Sequence, residues 1–214
     1  MLIKQITLLI ILLTSLVNIN SQHFTNATKE QQQMMLSKIS EASGKMKSLK
    51  CNFEQIKELT ILEDKMISKG TMYFRHDNRL RWEYLTPYTY TFLMNDKKLL
   101  MQTDNSRNVV DINSNKFFQE IVKIMMSSIN GNGLIDTNSF EPTYLWSEKN
   151  WNIILTPIQK EMKRLFLSIE LLFNTKDYTV DKVKLLEQNG DTTVISLSEK
   201  QFNAEIEDNI FNIN

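Results

Sequence analysis

Residues 70–94 read GTMYFRHDNRLRWEYLTPYTYTFLM, and their apolar period is two. Gly70, Met72 and Phe74 alternate with Thr71, Tyr73 and Arg75. Leu80, Trp82 and Tyr84 alternate with Arg79, Arg81 and Glu83, and Tyr88, Tyr90, Phe92 and Met94 alternate with Thr89, Thr91 and Leu93. Successive side chains of a strand point to opposite faces, so the pattern predicts half-buried antiparallel strands sharing one apolar face. Arg75-His76-Asp77-Asn78 reads as the turn between the first two.

The alternation extends in both directions. Upstream, Leu49, Cys51 and Phe53 alternate with Lys50, Asn52 and Glu54. Downstream, Asn95-Asp96 turns the chain into a strand at 98–102, and Asp104-Asn105-Ser106 turns it into another at 108–112. Further strands are expected at 141–148, 150–156, 164–173, 179–188 and 192–198, with Asn189-Gly190 as a hairpin turn. Residues 210–213 read as a last short strand. Two helices interrupt the pattern. In 28–47, Met35, Ile39, Ala42 and Met46 recur at three- and four-residue spacing. Residues 114–130 carry Phe117, Phe118, Ile121, Val122, Ile124, Met125 and Met126, before Gly131 and Gly133 break the chain. About ten antiparallel strands do not lie flat, and two helices cannot cover both faces. The economical arrangement is a curled sheet with the helices against its concave side.

Composition narrows the function. The chain has 214 residues, 25 Lys+Arg against 25 Asp+Glu, 42% hydrophobic residues and one cysteine. That excludes a disordered chain and an internal disulfide scaffold, and it opposes a dedicated nucleic-acid binder. Five glycines leave little material for phosphate loops, whereas 11 Met, 11 Phe, 6 Tyr and 3 Trp supply abundant soft and aromatic apolar surface. Residues 1–21 read as a secretory signal peptide: Lys4 precedes the apolar run Ile6–Val17, which is shorter than the roughly 20 residues of a membrane span. Residues 22–214 then form one domain, exported from the cytoplasm.

Catalytic chemistry finds little to work with. His23 and His76 are the only histidines, and neither has the partners of a triad or zinc site in view. Cys51 reads as a small buried hydrophobe. Glu63-Asp64 reads as a solvated hairpin end, and Glu205, Glu207 and Asp208 as a polar tail. Asn26-Ala27-Thr28 matches a glycosylation sequon that is read as chance. No cofactor or metal is expected, and no enzyme activity. Binding of something apolar remains, with methionine suited to irregular guests.

Phe53-Glu54-Gln55, Gly70-Thr71-Met72-Tyr73-Phe74, Leu80-Arg81-Trp82-Glu83-Tyr84-Leu85-Thr86-Pro87 and the hairpin Met94–Leu100 together resemble the outer-membrane lipoprotein carrier family, the LolA-like periplasmic chaperones. The resemblance implies a mainly β fold with α: an unclosed, half antiparallel β-barrel of ten to eleven strands with helices forming a lid over a hydrophobic cavity. It implies a periplasmic carrier that takes the acyl chains of lipoproteins from the inner to the outer membrane. The implied partners are acylated lipoproteins and an inner-membrane lipoprotein-releasing ABC transporter, with an outer-membrane acceptor left open. On that basis Leu49, Phe53, Met72, Phe74, Leu80, Trp82, Tyr84, Phe92 and Met94 are the expected cavity wall. Met35, Ile121, Val122 and Met125 are the expected lid face. Some family members latch the lid with an Arg before a Pro, where this chain has His76 and Asp77. Arg75, His76 and Arg79 are the candidate latch here. Two alternatives stay open: a lipoprotein- or lipid-sensing regulatory domain of the same fold, usually accompanied by a further domain, and a carrier of a free lipid or glycolipid.

Overall fold

Alternation in the sequence becomes two long strands, β2 (Ser48–Leu59) and β3 (Asp64–Arg75), paired along their whole length from Ser48↔Arg75 to Leu59↔Asp64. This hairpin is the centre of a computed structural model that describes residues 23–61, 64–114, 126, 129 and 138–213. The pairing runs well beyond the expected ends at Glu54 and Gly70, because Gln55–Leu59 and Asp64–Lys69 pair by backbone without needing an apolar period.

The other strands are β1 (Thr25–Asn26), β4 (Arg79–Thr86), β5 (Tyr90–Asn95), β6 (Lys98–Thr103), β7 (Arg107–Asp111), β8 (Phe140–Trp146), β9 (Asn150–Pro157), β10 (Phe166–Asn174), β11 (Val180–Glu187) and β12 (Thr192–Phe202). They form a single antiparallel sheet of 12 strands among the described residues, in the order β1-β8-β9-β10-β11-β12-β2-β3-β4-β5-β6-β7. The sheet does not close, since β1 and β7 are its edges. It is the open half-barrel expected, with more strands than ten to eleven; β1, two residues long, is too short to show a period.

Helix α1 (Lys29–Lys45) begins at a capping box. Thr28 Oγ1 accepts from the Gln31 backbone N–H at 3.3 Å, and the Gln31 side chain accepts from Thr28 N–H at 2.9 Å. The threonine of the chance sequon thus has a structural task. A single short turn, α2 (Lys160–Lys163), joins β9 to β10. Of the mid-chain helix, Met126 and Ile129 are described and both are helical. The rest of that segment lies outside the described residues, as do residues 1–22 and hence the signal-peptide reading.

The expected strand at 210–213 is corrected. Asp208–Phe211 is a 3-10 turn, with Ile210 N–H donating to Glu207 O and Asn212 N–H to Asn209 O. The tail crosses the outer face of the sheet, where no strand edge is offered to it. Phe211 is fully buried there against Leu93 and Leu100, with Tyr73, Ile206, Ile210 and Ile213 packed around them.

Two apolar clusters share the inner face. One lies over β8–β11, where α1 sets Met35 and Ile39 against Trp151, Ile153, Ile169, Leu171 and Phe173. The other lies over β2–β6.

Candidate functional site

Cross-strand register arranges the second cluster as three parallel rows. Leu49, Phe74, Leu80, Met94 and Leu99 make one. Cys51, Met72, Trp82, Phe92 and Met101 make the next. Leu197, Phe53, Gly70, Tyr84 and Tyr90 make the third. All nine residues expected on a cavity wall fall in these rows: seven are buried, and Tyr84 and Phe92 are partly buried against them. Leu99, Met101 and Leu197 complete the rows. Their signal was present in the alternation of 98–102 and 192–198, but not in the family motif.

The third row is aromatic and its middle residue is glycine. The Phe53 ring packs on Trp82 (centroids 4.5 Å) and meets Tyr84 edge-on (5.0 Å, 81°). Tyr84 meets Tyr90 at 6.0 Å. The Tyr84 hydroxyl donates to Gln55 Oε1 at 2.9 Å, so this phenol is satisfied, whereas the buried Trp82 Nε1 has no hydrogen-bond partner among the described residues. Burial pushes the Tyr84 phenol up to about 12, opposed weakly by the Trp82 indole N–H. Burial likewise raises the Cys51 thiol to about 12, against the partial relief of the Lys200 charge. Cys51 is therefore an inert member of the apolar surface.

What covers these rows is not a second sheet. Met46, just past the end of α1, and Met126 and Ile129 of the mid-chain segment are buried in the same cluster, together with Ile112. Ile121, Val122 and Met125, expected on the lid face, lie outside the described residues. Met35 is fully buried, but over β8–β11 rather than over the aromatic rows, because α1 lies along that half of the sheet.

The candidate latch residues flank the β3–β4 turn. Arg75 and Arg79 have the parity of Tyr73, not of Met72, and so lie on the outer face with the tail. Arg75 Nη1 approaches Asp208 Oδ1 at 2.6 Å and Arg79 Nη1 approaches it at 3.1 Å, while Asp77 bridges the same two guanidinium groups. Arg81 Nη1 donates to Ile210 O, Asn95 Nδ2 to Phe211 O and Arg107 Nη2 to Ile213 O. The Arg75 guanidinium also lies 5.3 Å from the Phe211 ring centroid. These side chains hold the C-terminal segment, and Asp208, read as part of a polar tail, is the counter-ion of Arg75 and Arg79. His76 is exposed in the turn, its backbone N–H donating to Lys47 O at 2.9 Å.

Among the described residues no group of three or more His, Cys, Asp or Glu is placed to hold a metal. No helix among them is long and apolar enough to cross a membrane.

The outer membrane lipoprotein carrier protein LolA family model matches residues 44–214, from the end of α1 through the tail. The chain belongs to the LolA family. A comparison with curated protein sequences finds no match. Among solved structures, a LolA superfamily protein from Nitrosomonas europaea is 12% identical, with 84% of this chain and 96% of that one covered and a TM-score of 0.44. The Pseudomonas aeruginosa MucA/MucB complex gives 11% identity, 85% and 60% coverage and a TM-score of 0.51. The Mycobacterium tuberculosis lipoprotein LppX gives 8%, 84% and 99%, and 0.46. At such identities the MucB likeness speaks for the shared fold alone, over less than two thirds of that chain. The LolA motifs gain a physical reading from the geometry: the motif glycine, Gly70, makes room for the motif phenylalanine, Phe53.

Proposed function

We propose that this LolA-family chain is a non-enzymatic periplasmic carrier, exported by its N-terminal segment, that shelters the acyl chains of lipoproteins on their way from the inner to the outer membrane. The observation that carries the reading is the way the three rows over β2–β6 are covered. Their apolar surface is shared with residues of connecting segments, Met46 just past α1 and the helical Met126 and Ile129, and such residues are displaced by a guest without breaking a strand pair.

The energetics suit handover. A buried methylene is worth about 0.8 kcal/mol, so a chain of about fifteen represents roughly 12 kcal/mol of avoided water. A guest that displaces helix contacts gives back part of that gain. The acyl chain is then held less tightly than in a bilayer, and release needs no chemistry. Leu49, Phe53, Met72, Phe74, Leu80, Trp82, Tyr84, Phe92 and Met94 form the wall, and the helical residues form the cover. An inner-membrane lipoprotein-releasing ABC transporter is the implied donor.

The test is mass spectrometry of ligand extracted from protein purified out of the cell envelope. Acylated cysteine peptides are expected. Free phospholipid or glycolipid in their place would make the chain a lipid carrier. A membrane regulator recovered with no lipid-linked cargo would make it a sensor domain.

A further inference from the structure

The two apolar clusters of the inner face meet at a polar node, created by a bulge in β12. Pairing with β2 runs to Ser198↔Asn52 and resumes at Gln201↔Lys50, so Glu199 and Lys200 together oppose Cys51. Glu199 takes φ 52° and sends its carboxylate to Asn52 Nδ2 at 2.8 Å. A bulge re-aims the side chain that follows it. Lys200, with its side chain 10% exposed, reaches Asp181 Oδ1 at 2.5 Å, Thr179 Oγ1 at 2.8 Å and Asp177 Oδ2 at 3.8 Å. Asn174 Nδ2 donates to Asp181, and Thr179 Oγ1 donates to Asp177, so these groups satisfy one another.

One polar atom beside them is not satisfied. Ser43, on the last turn of α1, is 4% exposed, and its hydroxyl has no hydrogen-bond partner among the described residues. A buried hydroxyl left unpaired is costly, and a helical serine usually escapes by bonding the carbonyl four residues back. Ser43 instead borders a closely packed seam lined by Ile39, Met46, Ile129, Phe173, Tyr178 and Thr179, with no free room for a water, so a guest must move Met46 to reach it. Met46 and Thr179 also line an open cleft of about 150 Å³ at the end of α1, bounded by Lys45, Asp177, Phe202 and Asn203. Met46 thus stands between the cleft and the unpaired hydroxyl.

We propose that Ser43 is the docking point for the ester carbonyl of a glyceryl-linked acyl chain, entering through this cleft past Met46. Its hydroxyl needs an acceptor, and the node beside it sets two carboxylates against one ammonium, which disfavours a free carboxylate or a phosphate and favours a neutral carbonyl. Ile39, Met46, Ile129 and Phe173 give the seam beside Ser43 a mainly apolar lining, with Tyr178 and Thr179 as its polar members, and the cleft of about 150 Å³ has room for a glyceryl group rather than for a whole chain. The inference rests on the acyl-carrier reading and adds to it where the polar end of the guest lies.

The test compares wild type and Ser43→Ala with two probes: 1-monopalmitoylglycerol, and 1-O-hexadecylglycerol, which has a methylene where the ester has its carbonyl. Wild type is expected to prefer the ester by about three- to ten-fold, the range of one net hydrogen bond. Ser43→Ala is expected to bind both probes alike. It should melt no lower than wild type, because alanine favours the helix and removes an unpaired hydroxyl. An ester preference that persists in Ser43→Ala, none in wild type, or a lowered melting temperature overturns the site and leaves the carrier reading standing. Failure of wild type to bind either probe overturns the carrier reading itself. Repeating the titrations with a dipalmitoyl lipopeptide and with dipalmitoylphosphatidylglycerol identifies the source of the glyceryl group. Ser43-dependent affinity in either arm supports the site.

Discussion

The ring of Phe53 lies directly over Gly70. A Cβ at residue 70 would sit 2.7 Å from Phe53 Cε1 and Cζ, and 1.9 Å from the Glu83 carbonyl oxygen. The ring can yield by rotating, but the carbonyl belongs to the β3–β4 ladder, which shifts register between Lys69 and Gly70. Gly70→Ala should therefore destabilise the protein by about 3 kcal/mol, the upper range for overpacking. Urea unfolding measures this directly, and a change below about 0.5 kcal/mol would show that the strands separate freely here.

The clamp on the tail depends on pH through Asp208. The hydrogen bond from Arg75, then the Arg75 and Arg79 charges, hold this carboxyl below its usual range. In the detached tail it titrates normally. The clamp is thus complete above the ordinary carboxylate range and is lost as pH falls through the lowered folded value. Hydrogen exchange at Ile210 and Asn212, whose amides are bonded within the turn, should accelerate over that window. In Asp208→Asn the acid-induced change should vanish. Acceleration of equal size in that variant would place the titration elsewhere.

Phe211→Ala removes a fully buried ring from the outer face. A substitution of this kind costs about 3–5 kcal/mol where it falls. Here it falls on docking of the tail, so exchange should rise in residues 206–213 while the inner rows keep their protection. Uniform loss of protection across β2–β6 would mean that the sheet depends on the tail to fold.

Tyr84 and Cys51 report on the covered rows. Both groups are raised to about 12 by burial, so each binds its proton more tightly folded than unfolded. Their contribution to stability is complete below the ordinary tyrosine and thiol values and is lost as pH rises through about 12. At neutral pH Cys51 should resist a thiol reagent until the protein unfolds. Modification at a rate independent of denaturant would indicate that the cover opens locally.

Weakening the cover should strengthen binding. Ile129→Ala removes a side chain packed against the rows, which on the carrier reading competes with the guest. The variant should be less stable when empty, yet bind a palmitoyl probe about ten-fold more tightly, or about 1.4 kcal/mol. Phe53→Ala, which removes wall rather than cover, should weaken binding. If both substitutions weaken it, Ile129 belongs to the wall.

The period-two runs around Trp82 made the inner face legible from residues alone, since register along antiparallel pairs keeps one parity across β2–β6. The tail was not legible. Ile210 and Phe211 look like strand residues until a specific outer-face site, built by Leu93 and Leu100 from two other strands, is available to receive them. The placement of Arg75 and Arg79 was hidden for a related reason: a turn motif does not say which face of the sheet its flanking charges serve. Lys200 lay beyond periodic reading altogether, because a single bulged residue reverses the parity of everything after it. The inner apolar rows were thus visible as a pattern, while their polar neighbour depended on an irregularity.

The tail on the outer face and the aromatic rows on the inner face belong to the same strands, β3–β6. A sheet held on both sides bends less than one held on a single side. These strands act as the stiff plate of the molecule, and on the carrier reading the volume for a guest must come from elsewhere. It comes from the helical cover and from the β8–β11 half, whose outer side carries no tail. Loading should then leave the distance from Phe211 to Leu93 unchanged while Met46 moves relative to Phe173, so that the protein swells from one flank only.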